Sequence, residues 1–96
     1  MLFALICLDK PNSSAVRQEA RPRHLAYIEA RKDAVRVAGP FTSEDGASML
    51  GSLIILEAAD IGAARAFAAN DPYTLAGLFD SVEIKPWRWT IGAPKG

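Results

Sequence analysis

Leu2-Phe3-Ala4-Leu5-Ile6-Cys7-Leu8 is a continuous apolar run that stops at Asp9-Lys10-Pro11-Asn12. A run of that length, ended by turn-forming residues, predicts a strand buried on both faces. Leu50 to Glu57 predicts a second strand of the same kind, because Leu53-Ile54-Ile55-Leu56 is apolar at both alternating positions. Two further strands are expected. One is Val35 to Phe41, interrupted at its end by Gly39-Pro40. The other is Ser81 to Trp89, where Val82 and Ile84 alternate with Glu83 and Lys85. Thr42 to Ala47 is the polar turn between the second and third strands.

Helices fill the intervals. Asn12 or Ser13 caps the first. Pro22 falls inside it, and proline disfavours helical geometry in the residue before it. A break is therefore expected near Arg21, with Pro22 in the first turn of a fresh helix. Leu25, Ile28 and the alanines keep helical spacing to about Asp33. Asp60 is a good N-cap for Ile61 to Ala69. Asn70-Asp71-Pro72 stops that helix and starts a short one from Tyr73 to Leu78, and Ile91 to Gly96 reads as a frayed tail.

The order strand, helix, strand, strand, helix, strand predicts an α+β, ferredoxin-like βαββαβ fold, in one domain over residues 1–96. Two helices cover one face of a four-stranded antiparallel sheet and leave the other bare. A bare face in water is normally polar at alternate positions. Here the first and third strands are apolar on both faces, so a second copy packed sheet to sheet, a dimeric α/β barrel, is the expected remedy.

Composition removes several functions. Eleven Lys plus Arg balance eleven Asp plus Glu. No overall field is available to hold a polyanion, and nucleic acid is not expected as a partner. An RNA-recognition domain of this topology needs exposed aromatics on its central strands, where only Phe3 is available. Cys7 is the only cysteine and His24 the only histidine, too few for a paired-cysteine copper carrier or a normal zinc ligand set. No metal and no cofactor is expected. Cys7 reads as a small buried hydrophobe and the protein as cytoplasmic. Met1 to Leu8 has no basic leader and no small-residue cleavage site, and no segment approaches the roughly 20 apolar residues of a membrane span.

The residues that can carry chemistry are few. His24 lies in Arg21-Pro22-Arg23-His24-Leu25. If Pro22 opens a helix, the positive end of the helix dipole keeps the imidazole neutral and able to take a proton. A partly buried histidine bonded to one backbone group is the equal alternative. Asp71 before Pro72 is an ordinary helix start. Its functional alternative is to accept a hydrogen bond from His24 and fix its tautomer. Arg17, Arg21, His24 and Ile28 recur at spacings of four, three and four. That row suits an anionic or enol-bearing small molecule, or is a solvated helix face. Gly39-Pro40 shapes a pocket rim or simply ends a strand. Trp87 and Trp89 line a cavity or, as large aromatics more often do, belong to core or interface.

Taken together, Arg17-x-x-x-Arg21-Pro22-x-His24-Leu25, Ala38-Gly39-Pro40, Asn70-Asp71-Pro72-Tyr73 and Ile84-Lys85-Pro86-Trp87 resemble the YCII (YciI-like) family, and the resemblance covers nearly the whole chain. The turn Thr42 to Met49 departs from the family's pattern. The resemblance implies a ferredoxin-like fold assembled as a dimeric α/β barrel. It also implies a pocket whose key polar groups map onto His24 and Asp71. The expected function is acid-base chemistry on small molecules of a lyase, isomerase or dehydrochlorinase type. Arg17 and Arg21 would hold an anionic oxygen, and Gly39, Pro40 and Tyr73 would shape the pocket. The alternative is a non-catalytic ligand-binding or accessory dimer module.

Overall fold

A computed structural model describes residues 1–94. Its elements are β1 (Leu2–Asp9), α1 (Ser14–Ala30), β2 (Val35–Thr42), β3 (Met49–Glu57), α2 (Ile61–Asn70), α3 (Pro72–Leu75) and β4 (Phe79–Trp87). The strands form one antiparallel sheet in the order β2-β3-β1-β4, the expected ferredoxin-like arrangement. The two strands that are apolar on both faces, β1 and β3, are the central ones. Gly39 and Pro40 lie within β2 rather than ending it. β2 is an edge strand, where proline's missing N–H costs no ladder bond.

Side-chain alternation divides the sheet into two faces. Phe3, Leu5 and Cys7 of β1 join Ile54 and Leu56 of β3 against Ala64, Phe67 and Ala68 of α2, and this is the main core. Gly51 admits Cys7 across the β1–β3 ladder, since a Cβ there would collide with the Cys7 carbonyl oxygen. Leu2, Ala4, Ile6 and Leu8 of β1, with Leu53 and Ile55 of β3, point to the face that no helix covers. There Leu8 and Val37 are 46% and 45% exposed.

The first helix departs from expectation. α1 runs unbroken from Ser14 to Ala30 with Pro22 inside it, so no fresh helix starts at Pro22. An interior proline loses one hydrogen bond and costs about 3 kcal/mol. Pro22 stands on the exposed side of α1, where water can reach the carbonyl it leaves unpaired. Ala20 is fully buried, and buried polar contacts at Arg17 and His24 tie the helix down on both sides of the proline. These contacts offset the loss. His24 is consequently an interior residue of α1, and the helix-terminus argument for its neutral form does not apply.

Other boundaries follow from pairing. β4 begins and ends two residues earlier than Ser81 to Trp89, because Asp9 pairs with Phe79 and Leu2 pairs with Trp87. β1 has no partner left for Arg88 and Trp89. Asp60 caps α2 as expected, accepting the Ala63 N–H at 2.8 Å, a bond worth about 1 kcal/mol. Ser13 occupies the N-cap of α1 without a side-chain cap bond. Ile91 to Pro94 form no helix or strand; the rest of the expected tail, residues 95 and 96, lies outside the described residues. No helix among the described residues is long and apolar enough to cross a membrane.

Candidate active site

The segment after α2 sets the geometry. Asp71 ends α2 in an extended conformation (φ −61°, ψ 130°), and Pro72 follows as the first residue of α3. The proline ring presets the helical φ, and the Asp71 side chain accepts the Tyr73 N–H at 2.9 Å. The cap reading of Asp71 is therefore correct. The same carboxylate also meets His24: Nδ1 lies 2.9 Å from Oδ1 and 3.1 Å from Oδ2. The two side chains are 11% and 4% exposed.

A carboxylate on both sides of Nδ1 fixes the proton on that nitrogen in the neutral ring. Nε2 then carries the lone pair. Among the described residues it has no hydrogen-bond partner, and none of their buried side-chain nitrogens or oxygens lacks one, so Nε2 is open rather than enclosed. Tyr73 stacks flat on the imidazole, with ring centroids 3.9 Å apart and planes 13° from parallel. One short helix thus supplies both the carboxylate that orients the ring in its plane and the aromatic face that holds that plane.

Arg17 completes the floor. Its Nε and Nη2 donate to Asp9 Oδ2 and Oδ1 at 2.8 and 3.0 Å, and Nη2 also donates to Ser52 Oγ at 3.0 Å. Its guanidinium carbon sits 4.7 Å from the centre of the Tyr73 ring. Burial opposes the Arg17 charge, but the Asp9 carboxylate more than offsets this and holds the guanidinium above its ordinary value. Burial likewise raises the Tyr73 phenol, with Arg17 and Arg21 pulling it back. Tyr73 is therefore a neutral hydroxyl at neutral pH.

A cavity of about 260 Å³ lies above these groups. His24, Arg17, Arg21, Gly39, Pro40 and Tyr73 all line it, so α1, β2 and α3 bring six of the seven sequence candidates to one wall. Asp71, the seventh, sits behind His24. Leu25, Ile28, Ala38 and Ile54 give the cavity its apolar sides. Sequence reasoning missed Asp9 and Ser52. A signal existed for each: Ser52 is a polar residue beside an apolar strand run, and Asp9 continues the alternating series Phe3, Leu5, Cys7 that faces the helices. Trp87 and Trp89 do not reach this cavity. Their rings pack 5.7 Å apart beside a separate hollow with Met1, Leu2 and Arg36. Among the described residues no group of three or more His, Cys, Asp or Glu side chains is placed to hold a metal ion.

The family model of the YCII-related domain matches residues 1–88. Protein YciI of Escherichia coli O6:H1 is 36% identical over 95 residues, covering 92% of this chain and 97% of that protein. An uncharacterized protein of Haemophilus influenzae is 32% identical over the same shares. Among solved structures, 5-chloro-2-hydroxyhydroquinone dehydrochlorinase (TftG) from Burkholderia phenoliruptrix AC1100, in complex with 2,5-dihydroxybenzoquinone, superposes with a TM-score of 0.84. It is 38% identical and covers 92% of this chain and 94% of its own. With the fold, the motifs and these relatives in agreement, the chain belongs to the YCII-related domain family.

Proposed function

We propose that this chain is a cofactor-free acid-base enzyme for small molecules, of the lyase or isomerase kind, dehydrochlorinase-type elimination included. His24 is the general base and acid, and Asp71 orients it. The observation that carries this is the grip of both Asp71 oxygens on Nδ1 while Nε2 stays open toward a cavity. The dehydrochlorinase name of the structural neighbour, and its small quinone ligand, support an enzyme reading.

In the proposed step, Nε2 takes a proton from an activated carbon acid or enol, and the bonding pair moves into a new double bond. In an elimination the leaving group departs with its own pair. In an isomerisation the imidazolium returns the proton to another atom. A positioned base of this kind contributes about 10²–10⁴-fold. Arg17 and Arg21 balance the developing anionic oxygen, and Gly39, Pro40 and Tyr73 shape the space around it.

The protein acts as a homodimer closed over the bare sheet face, where Leu8 and Val37 stand exposed. Its ligand is a small molecule; with a formal net charge of zero, neither nucleic acid nor a membrane surface is its partner. The single unpaired buried thiol, Cys7, suits the cytoplasm.

The test is a screen of small carbonyl, enol and chlorinated hydroquinone compounds by absorbance and chloride release. Turnover by the wild type that is lost in His24→Gln is the expected result. Ligands that bind in a His24-dependent way without any being turned over would favour the binding-module alternative instead.

A further inference from the structure

We infer that the cavity over His24 is the smaller half of a bipartite site, and that the larger half receives a carboxylate or similar anionic arm of the substrate. This deepens the acid-base reading and rests on it for which end reacts.

A second cavity of about 910 Å³ adjoins the first, and Arg17, Arg21 and Met49 line both. The two halves differ in chemistry. The smaller has mostly apolar sides over a floor of stacked aromatic rings, and its 260 Å³ is below the range that takes a drug-sized ligand. It suits one planar conjugated ring or a short enol. The charged groups of the larger half are Asp9, Lys10, Arg17 and Arg21. Asp9 and Arg17 form an ion pair at 2.8 Å, with both side chains 6% exposed. The side chains of Lys10 and Arg21 have no ion-pair or hydrogen-bond partner among the described residues. Arg21 therefore brings an uncompensated positive charge to a concave space that Lys10 also lines, the Lys10 ammonium lying on the Gly77 side. Such a cleft concentrates anions. Arg21 stands at the junction, so a molecule reacting over His24 meets it before Lys10. Part of the larger wall is Ala47 and Ser48, the stretch before β3, which makes the length of the arm a property of that loop.

The probes are 3-(3,4-dihydroxyphenyl)propanoate and its primary amide, which share a ring and differ only in the charge of the arm. Affinities are measured by NMR titration in the wild type and in the Lys10→Gln/Arg21→Gln double variant, at low and high salt. The expected result is about fivefold tighter binding of the acid, a magnitude suited to one partly exposed ion pair at Arg21. That preference shrinks at high salt and disappears in the double variant. Equal binding of acid and amide by the wild type overturns the inference. So does a preference that survives in the double variant, and so does failure of both probes to bind. The acid-base reading is scored separately by turnover in His24→Gln: an acid preference with turnover indifferent to His24 removes the base and leaves the arm site standing.

Discussion

Asp71 holds His24 with both carboxylate oxygens, 2.9 and 3.1 Å from Nδ1, and the nearer one also accepts the Tyr73 N–H at 2.9 Å. Helix capping and ring orientation are therefore one arrangement rather than competing uses of one side chain. The turn that starts α3 also positions the group that orients the imidazole. Tyr73, two residues on, supplies the surface on which the imidazole rests.

This coupling separates two variants. His24→Gln keeps an amide donor for Asp71 and should change stability by no more than about 1 kcal/mol while lowering turnover about 10²–10⁴-fold. Asp71→Ala should lower turnover and also cost about 1 kcal/mol or more, because the cap of α3 goes with it. Urea unfolding beside steady-state rates checks both. A large stability loss in His24→Gln with turnover intact would mark the histidine as structural.

The two arginines of the α1 row should behave differently. Arg17→Ala leaves Asp9 buried without its partner and should destabilise by about 3–5 kcal/mol. Arg21 is exposed and has no ion-pair partner among the described residues, so Arg21→Ala should leave unfolding within about 0.5 kcal/mol of wild type while lowering ligand affinity and turnover. Matched denaturation curves for the two variants test the contrast; equal effects on stability would contradict it.

Burial pushes the Cys7 thiol up to about 12, and the Asp71 and Asp9 carboxylates add to the rise. In the unfolded chain the thiol ionises in its ordinary range, so between that range and about 12 the unfolded state binds fewer protons than the native one. Stability from this source is fully present below the unfolded value and falls as pH rises through the window, by at most about 1.4 kcal/mol per pH unit. Comparing the alkaline decline of wild type and Cys7→Ala isolates it: the wild type should decline more steeply. In the native protein the thiol should resist disulfide reagents at about pH 9.

The apolar sheet face predicts a dimer in solution. Light scattering should give twice the 10.3 kDa chain mass, and Leu8→Glu, which puts a charge at a 46% exposed position on that face, should shift the species toward monomer. A wild-type chain that stays monomeric and soluble at high concentration would remove the dimer.

The sheet was legible because its signal is local. Leu2 to Leu8 and Leu53 to Leu56, apolar at both alternating positions, read as strands buried on both faces, and β1 and β3 are the central pair. The unbroken course of α1 was not legible, since Pro22 argues locally for a break and only tertiary contacts at Arg17 and His24 oppose it. Those contacts span 8 and 47 residues of sequence, beyond what spacing within a helix reveals. The meeting of His24 with Asp71 was open in the residues themselves, where capping explained Asp71 equally well; family resemblance pointed to the pair. Asp9 and Ser52 escaped because each looks like an ordinary turn or strand residue until Arg17 is placed between them.

The most direct test concerns the ring itself. His24 is the only histidine, so its ring nitrogens in a ¹⁵N spectrum need no assignment. With the imidazole neutral, Nδ1 should carry the proton and Nε2 the lone pair, and Asp71→Ala should erode that preference toward the ordinary mixture. A neutral ring protonated mainly on Nε2, or a preference unmoved by Asp71→Ala, would mean that Asp71 only caps α3, and His24 would then not be an oriented base.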